Sequence, residues 1–174
     1  MRKVLFLMLL LLLHPGFAQL QSSTLNPVPE PWHQFSVVGM AKLNFLFWSV
    51  YTARLLSETP AFEFSAQQPF ALELEYQRSF SKEDLVSETR RQWKQTGTSF
   101  EGDWIEQLST LLVDVQEKDQ ITLYVDASYN SHFYFNGSFV GAIKDPEFTR
   151  QFAGIWLSER TTRPKIRSDL LGQS

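Results

Sequence analysis

Few side chains in this sequence have the type and spacing that chemistry demands. Glu73 and Glu75 stand two apart, and paired carboxylates are what glycosidic bond cleavage uses. On a strand, residues two apart share one face. Phe70, Leu72, Leu74 and Tyr76 take the opposite face, so a solvated glutamate pair is expected. Lys42 and Arg54 each fall on an even position of a strongly apolar stretch. A cation beside an apolar pocket could hold the carboxylate of an amphipathic ligand. The competing reading puts both at strand ends, reaching into water. Tyr51, Tyr76 and Lys42 could supply acid-base groups. Beyond His14 the histidines are His33, in a proline-rich segment, and His132, at a strand start where a surface position is expected.

Other chemistries lack their residues. With no cysteine and no His-Glu cluster, no zinc or iron site is expected. No Gly-x-Ser-x-Gly turn is present to raise a nucleophile. Gly137 and Gly141 fall in a hairpin, not in a phosphate loop. No cofactor and no metal is implied.

The elements that would position these residues can be read from periodicity. Residues 35–56 read as two long strands or one bent pair. Of the odd positions, Ala41, Leu43, Phe45, Phe47, Tyr51, Ala53 and Leu55 are apolar. Even positions are polar at Lys42, Asn44, Thr52 and Arg54 but apolar at Leu46, Trp48 and Val50, which predicts a central segment covered on both faces. Alternation over residues 70–78 predicts a half-buried antiparallel strand. Ser81, with Asp84 three residues on, predicts a helix N-terminus. That helix runs to about Gln95 with Leu85, Thr89 and Trp93 on one side, and Gly97 ends it. A second helix is predicted from Asp103, its stripe being Trp104, Leu108, Leu111, Leu112 and Val115. Ile121, Leu123 and Val125 open another strand, and residues 132–143 form a hairpin turning at Asn136-Gly137. Asn136-Gly137-Ser138 also fits a glycosylation sequon, but the turn needs no further assumption. Asp145 as N-cap and Pro146 at the first helical position start the last helix, which buries Phe148, Phe152, Ile155 and Trp156. Residues 161–174 are basic, then apolar at Leu170 and Leu171. Strands, two helices, strands and a helix in that order predict an α+β fold, an antiparallel sheet with helices on one face.

Arg2 and Lys3, the apolar run Val4 to Leu13, the break at His14-Pro15-Gly16 and the small residues up to Ala18 predict a signal peptide over 1–18, cleaved before Gln19. A membrane span needs about 20 apolar residues, roughly twice this run. An extended proline-rich leader is expected over 19–33, outside the core. The rest makes one domain, 34–172. Sixteen basic residues face 19 acidic ones across the whole chain, and loss of Arg2 and Lys3 makes the balance more acidic. Nucleic acid and anionic membrane would lack an electrostatic pull, and no membrane span follows the signal. A cysteine-free exported domain suits a bacterial periplasm, with extracellular release second.

The segment Val38-Gly39 through Phe45, then Phe47-Trp48-Ser49-Val50-Tyr51-Thr52-Ala53-Arg54-Leu55, resembles the opening strands of chalcone isomerase-like proteins, especially their exported bacterial branch. The strand at 70–78 followed by Ser81-Lys82-Glu83-Asp84-Leu85 is similar too. So are Phe139-Val140-Gly141-Ala142-Ile143, Phe152 to Leu157 and Leu170-Leu171-Gly172. The resemblance spans about 34–172. It implies a long antiparallel sheet with helices layered on one face, an open-faced sandwich, and a cleft between the layers.

The family includes true isomerases, fatty-acid-binding relatives and members without assigned activity. True isomerases carry a threonine before the Val-Tyr of the second strand, a polar residue in the last helix, a tyrosine at the start of the first helix and an arginine in the first strand. The resemblance sets Leu46, Ile155, the stretch Phe80-Ser81-Lys82 and, nearest, Lys42 at those places. An apolar residue cannot donate the hydrogen bond that enolate stabilisation requires. The resemblance therefore implies a non-catalytic domain binding a hydrophobic or amphipathic small molecule, such as a fatty acid, at Leu46, Trp48, Tyr51 and Ile155, with Lys42 or Arg54 as anchors. Two alternatives stand beside it. One is a protein-interaction or structural module of the cell envelope with a filled core and an unknown partner. The other is an isomerase-type enzyme with a remodelled site.

Overall fold

A computed structural model describes residues 30–99 and 103–173; the expected signal peptide and most of the leader lie outside them. Six strands pair in sequence order as one antiparallel meander: β1 Ser36–Phe45, β2 Trp48–Ser57, β3 Phe70–Tyr76, β4 Gln120–Val125, β5 Ser131–Phe135 and β6 Ser138–Ile143. Helices α1 Lys82–Gln95, α2 Trp104–Leu111, α3 Pro146–Leu157 and α4 Pro164–Leu170 complete the fold. The expected α+β architecture is the one observed.

Local residue chemistry sets several boundaries as expected. The Ser81 hydroxyl accepts from the Asp84 backbone N–H and the Asp84 carboxylate accepts from the Ser81 N–H, closing a capping box. Asp145 accepts from the backbone of Glu147 and Phe148, with Pro146 in the first turn. Asn136 and Gly137 turn the β5–β6 hairpin with φ of 47° and 78°, the left-handed values that this residue pair tolerates. The Asn136 side chain is engaged as well, accepting from the Gln120 N–H at 2.8 Å and donating to Asp119 at 2.9 Å.

The inner face of the sheet carries the main core. Its half beneath α2 and the start of α3 is filled by aromatic rings. Trp93, Trp104, Phe148, Phe133 and Phe152 contact one another at centroid separations of 5.4–6.3 Å, in edge, tilted and stacked arrangements that such rings favour. Each buried indole finds a partner: Trp93 donates to the Gln151 carbonyl and Trp104 to Asp145.

Three expectations need correction, and a segment with no assigned element proves to be a helix. The leader is not wholly outside the core: Trp32 folds back and is buried on the outer face of the sheet with Leu56 and Ala71, against Phe35, Tyr124 and Tyr134. Glu73 is therefore not solvated. It is 5% exposed, receiving the Trp32 indole N–H at 3.1 Å on one oxygen and the Arg54 guanidinium at 2.5 and 2.8 Å on the other. Only Glu75 keeps the exposed position expected of both. The apolar middle of residues 35–56 is not a doubly covered strand but a two-residue hairpin turn, Leu46-Phe47 between Phe45 and Trp48. Finally, the tail folds as α4, seven residues that bury Ile166 and Leu170 over β1 and β2.

Candidate functional site

The two layers leave a cavity of about 790 Å³ between them, bordered by Phe133 and Phe152 of the aromatic cluster. Its floor is alternate residues of adjacent strands, among them Leu43, Tyr51, Leu72, Leu74, Tyr76, Ile121 and Leu123. The antiparallel register sets them side by side, Tyr51 opposite Tyr76 and Leu72 opposite Leu123. Its roof is α1, through Leu85, Glu88, Thr89 and Gln92, and α3, through Phe152, Ile155 and Trp156. The helical spacing of Leu85, Thr89 and Trp93 explains the placement: one side faces inward, and the small Thr89 leaves room where a leucine would fill it. The volume falls within the range of roughly 300–1,000 Å³ usual for small-molecule sites.

Polar groups enter this space from α1, at Asp84, Ser87, Glu88, Arg91 and Gln92, from Arg163, and from the phenols of the floor. The Trp156 indole donates to the Tyr51 hydroxyl at 2.9 Å, which leaves the Tyr51 O–H proton for another acceptor. Burial pushes the Tyr51 phenol up to about 12, and burial with the neighbouring Tyr51 raises Tyr76 further still. Both stay protonated at neutral pH, so neither serves as a ready base. Glu88 is held below the usual carboxylate range: burial works against its charge, but hydrogen bonds from Arg91 and Gln92 and the charges of Arg91 and Arg163 prevail. Arg163 lines the cavity and its guanidinium makes no hydrogen bond or ion pair among the described residues.

The phenols give a pH prediction. Their folded-state proton affinity exceeds the unfolded value, so the unfolded chain releases protons first as pH rises past about 10. Stability is full below that pH and falls between about 10 and 12, by on the order of 2 kcal/mol or more from Tyr51 alone. Urea midpoints compared at pH 8 and 11, with tyrosinate absorbance as monitor, check this. Tyr51→Phe should remove part of the decline, and an unchanged midpoint would show the phenols to be solvated.

The structure separates the residues expected together in the cleft. Tyr51 and Ile155 line the cavity. Lys42 and Arg54 do not, because their register places them on the outer face, opposite Thr52 and Met40, where Lys42 is exposed and Arg54 pairs with Glu73. Leu46 and Trp48 stand exposed at the hairpin. Leu46 thus drops out of the contrast with isomerases, and Ile155 remains as the apolar residue in the wall. Two cations line the cavity, Arg91, which pairs with Glu88, and Arg163, whose place follows from the basic tail only once α4 is known to fold over the sheet. A second hollow of about 660 Å³ lies beside Phe62–Gln67, with Arg150, Arg160, Arg167, Glu63 and Glu159 among its lining. Its charged lining carries both signs.

An open-faced antiparallel sandwich with an apolar chamber between its layers is a recognisable class. A family model described as chalcone isomerase-like matches residues 34–172, and the chain belongs to that family. An uncharacterised protein of Haemophilus influenzae is 23% identical over 147 residues, 83% of this chain and 71% of that protein. The crystal structure of the Arabidopsis thaliana fatty-acid binding protein shares the fold, with a TM-score of 0.61, 13% identity and coverage of 80% of this chain and 87% of that one.

Proposed function

We propose that this protein binds an amphipathic acyl ligand, of the fatty-acid type, in the inter-layer cavity and carries out no chemistry on it. The observation that carries the reading is the chamber of about 790 Å³, with a mainly apolar floor that runs from Leu43 to Leu123 and includes the Tyr51 and Tyr76 phenols. Arg163, whose guanidinium makes no hydrogen bond among the described residues and acts on Glu88 only through its charge, and the free Tyr51 proton suit a carboxylate at its polar end. The name of the Arabidopsis structural neighbour supports the same ligand class. A chamber of this size disfavours the filled-core alternative. The upward displacement of both tyrosines favours a donor of hydrogen bonds over a remodelled isomerase base. The reading extends to export: residues 1–18 act as a signal peptide, and the mature protein works in a bacterial periplasm.

One preparation tests both parts. Protein recovered from the periplasmic fraction is examined by native mass spectrometry, where mature chains should begin at Gln19 and carry acyl chains releasable by organic extraction. In competition with a fluorescent fatty acid, Arg163→Ala should weaken binding by about tenfold, the usual worth of one charge-assisted hydrogen bond. Leu74→Trp, which narrows the chamber from its floor, should weaken binding at a stability cost of about 1–3 kcal/mol. Protein that is empty, and that takes up no fatty acid at micromolar concentration, would refute the acyl reading.

A further inference from the structure

The β1–β2 hairpin presents an unbroken apolar run at its tip. Phe45, Leu46, Phe47 and Trp48 are 63, 78, 98 and 62% exposed. Single exposed hydrophobic residues are ordinary, but a contiguous group marks a contact surface. The backbone makes this run more telling. Leu46 adopts a φ of 55°, a left-handed value suited to glycine or asparagine and strained for leucine. The strain gains no burial for its side chain within the described protein.

We propose that this tip inserts into the interfacial region of a phospholipid bilayer and sets the mouth of the cavity against the membrane. Its size argues against a second copy of the chain: four residues on a projecting two-residue turn compare with about 20–30 per side in a stable protein interface. Its charge fits a lipid surface. The hairpin Ser36–Ser57 contains no acidic residue; Arg54 is neutralised by Glu73, which leaves Lys42 as its free cation, in a chain of net charge −3. The Arg78 guanidinium lies 5.3 Å over the Trp48 ring, pairing a cation with an indole as at the headgroup level of membrane proteins. Phe45 belongs both to the tip and to the cavity lining, so an acyl chain leaving the bilayer beside Phe45 enters the chamber directly. No helix among the described residues is long and apolar enough to cross a membrane, and the attachment is peripheral. The proposal rests on the acyl-binding reading for its cargo, but not for the docking itself.

The test uses phosphatidylcholine vesicles, with and without phosphatidylglycerol. Trp48 is a built-in reporter, since Trp32, Trp93 and Trp104 are buried and Trp156 is partly so. Its emission should shift to the blue and be quenched by brominated lipid, and Trp48→Phe should remove that signal. Because insertion is apolar, cosedimentation should persist in about 0.5 M salt. The double variant Leu46→Asn, Phe47→Ser gives the turn a residue suited to positive φ, so it should fold. It should partition into vesicles on the order of 30-fold less while binding fluorescent fatty acid in solution as before. If the unaltered protein binds fatty acid but no vesicle, the docking proposal fails and the acyl reading stands. If it binds vesicles but no fatty acid, the acyl reading fails and the docking stands. If it ignores vesicles and the double variant abolishes a dimer, the tip is a protein contact and the proposal is overturned.

Discussion

Replacing Gly39 with alanine should lower stability by about 3 kcal/mol and the melting temperature by on the order of 10 °C. Gly39 lies in β1 where the C-terminal end of α4 comes down on the sheet. A Cβ there would stand 2.5 Å from the Leu170 carbonyl oxygen and closer still to that of Asp169. Both obstacles are backbone, so no rotamer change relieves them. The helix must retreat, and with it Leu170, which is fully buried. Urea unfolding gives the magnitude, and hydrogen exchange at residues 164–171 gives the site: their amides should lose protection while those of β3 and β4 keep most of theirs. A variant as stable as the parent would mean that α4 does not pack on β1 as described.

The second large effect is expected at Trp32. Trp32→Ala removes a buried indole, 2% exposed, and should cost about 3–5 kcal/mol. Part of that comes from packing against Tyr124 and Tyr134, at 5.8 and 4.7 Å. The rest comes from Glu73, which loses one of its two partners and gains access to water. A chain shortened to begin at Gln34 should be destabilised to a similar degree, although it retains every residue matched by the family. Equal stability of the shortened and parent chains, read from urea midpoints, would show that the outer-face cluster is dispensable.

The elements legible in the sequence are those whose signals are local. A capping serine with its aspartate, an Asp-Pro helix start and an Asn-Gly turn each state their own conformation within four residues. The antiparallel sheet with helices on one face follows from them, whereas the pairing of six strands in chain order is seen only in the structure. What escaped depends on distant parts of the chain. Glu73 and Glu75 are alike in sequence; only the return of Trp32, 41 residues away, buries one and leaves the other wet. The run Phe45–Trp48 illustrates a different limit. Hydrophobic pattern reports how apolar a residue is and not whether anything covers it, so an exposed tip and a doubly covered strand read the same. At the cavity, Tyr51 and Ile155 were legible because period and family pattern agreed on their faces. Arg163 was not, since seven residues of α4 carry too short a stripe to announce a helix.

The abundance of aromatic residues resolves into separate uses. Trp93, Trp104, Phe148 and Phe152 fill one half of the inner layer. Trp32, Tyr124 and Tyr134 seal the outer face. Phe45, Phe47 and Trp48 stand free. The hollow lies beside the inner cluster and shares Phe133 and Phe152 with it.

The docking of α4 on β1 also bears on the order of assembly. Each strand of the meander pairs with its predecessor, so the sheet can be laid down progressively as the chain emerges. The inner side of the first strand nevertheless waits for residues 164–170, more than a hundred positions later. Until they arrive, Ala41, Leu43 and their neighbours offer an unguarded greasy surface, the kind that invites association with other unfinished chains. A chain held unfolded until it has crossed a membrane would avoid that interval, and one stalled short of Leu170 would be trapped in it.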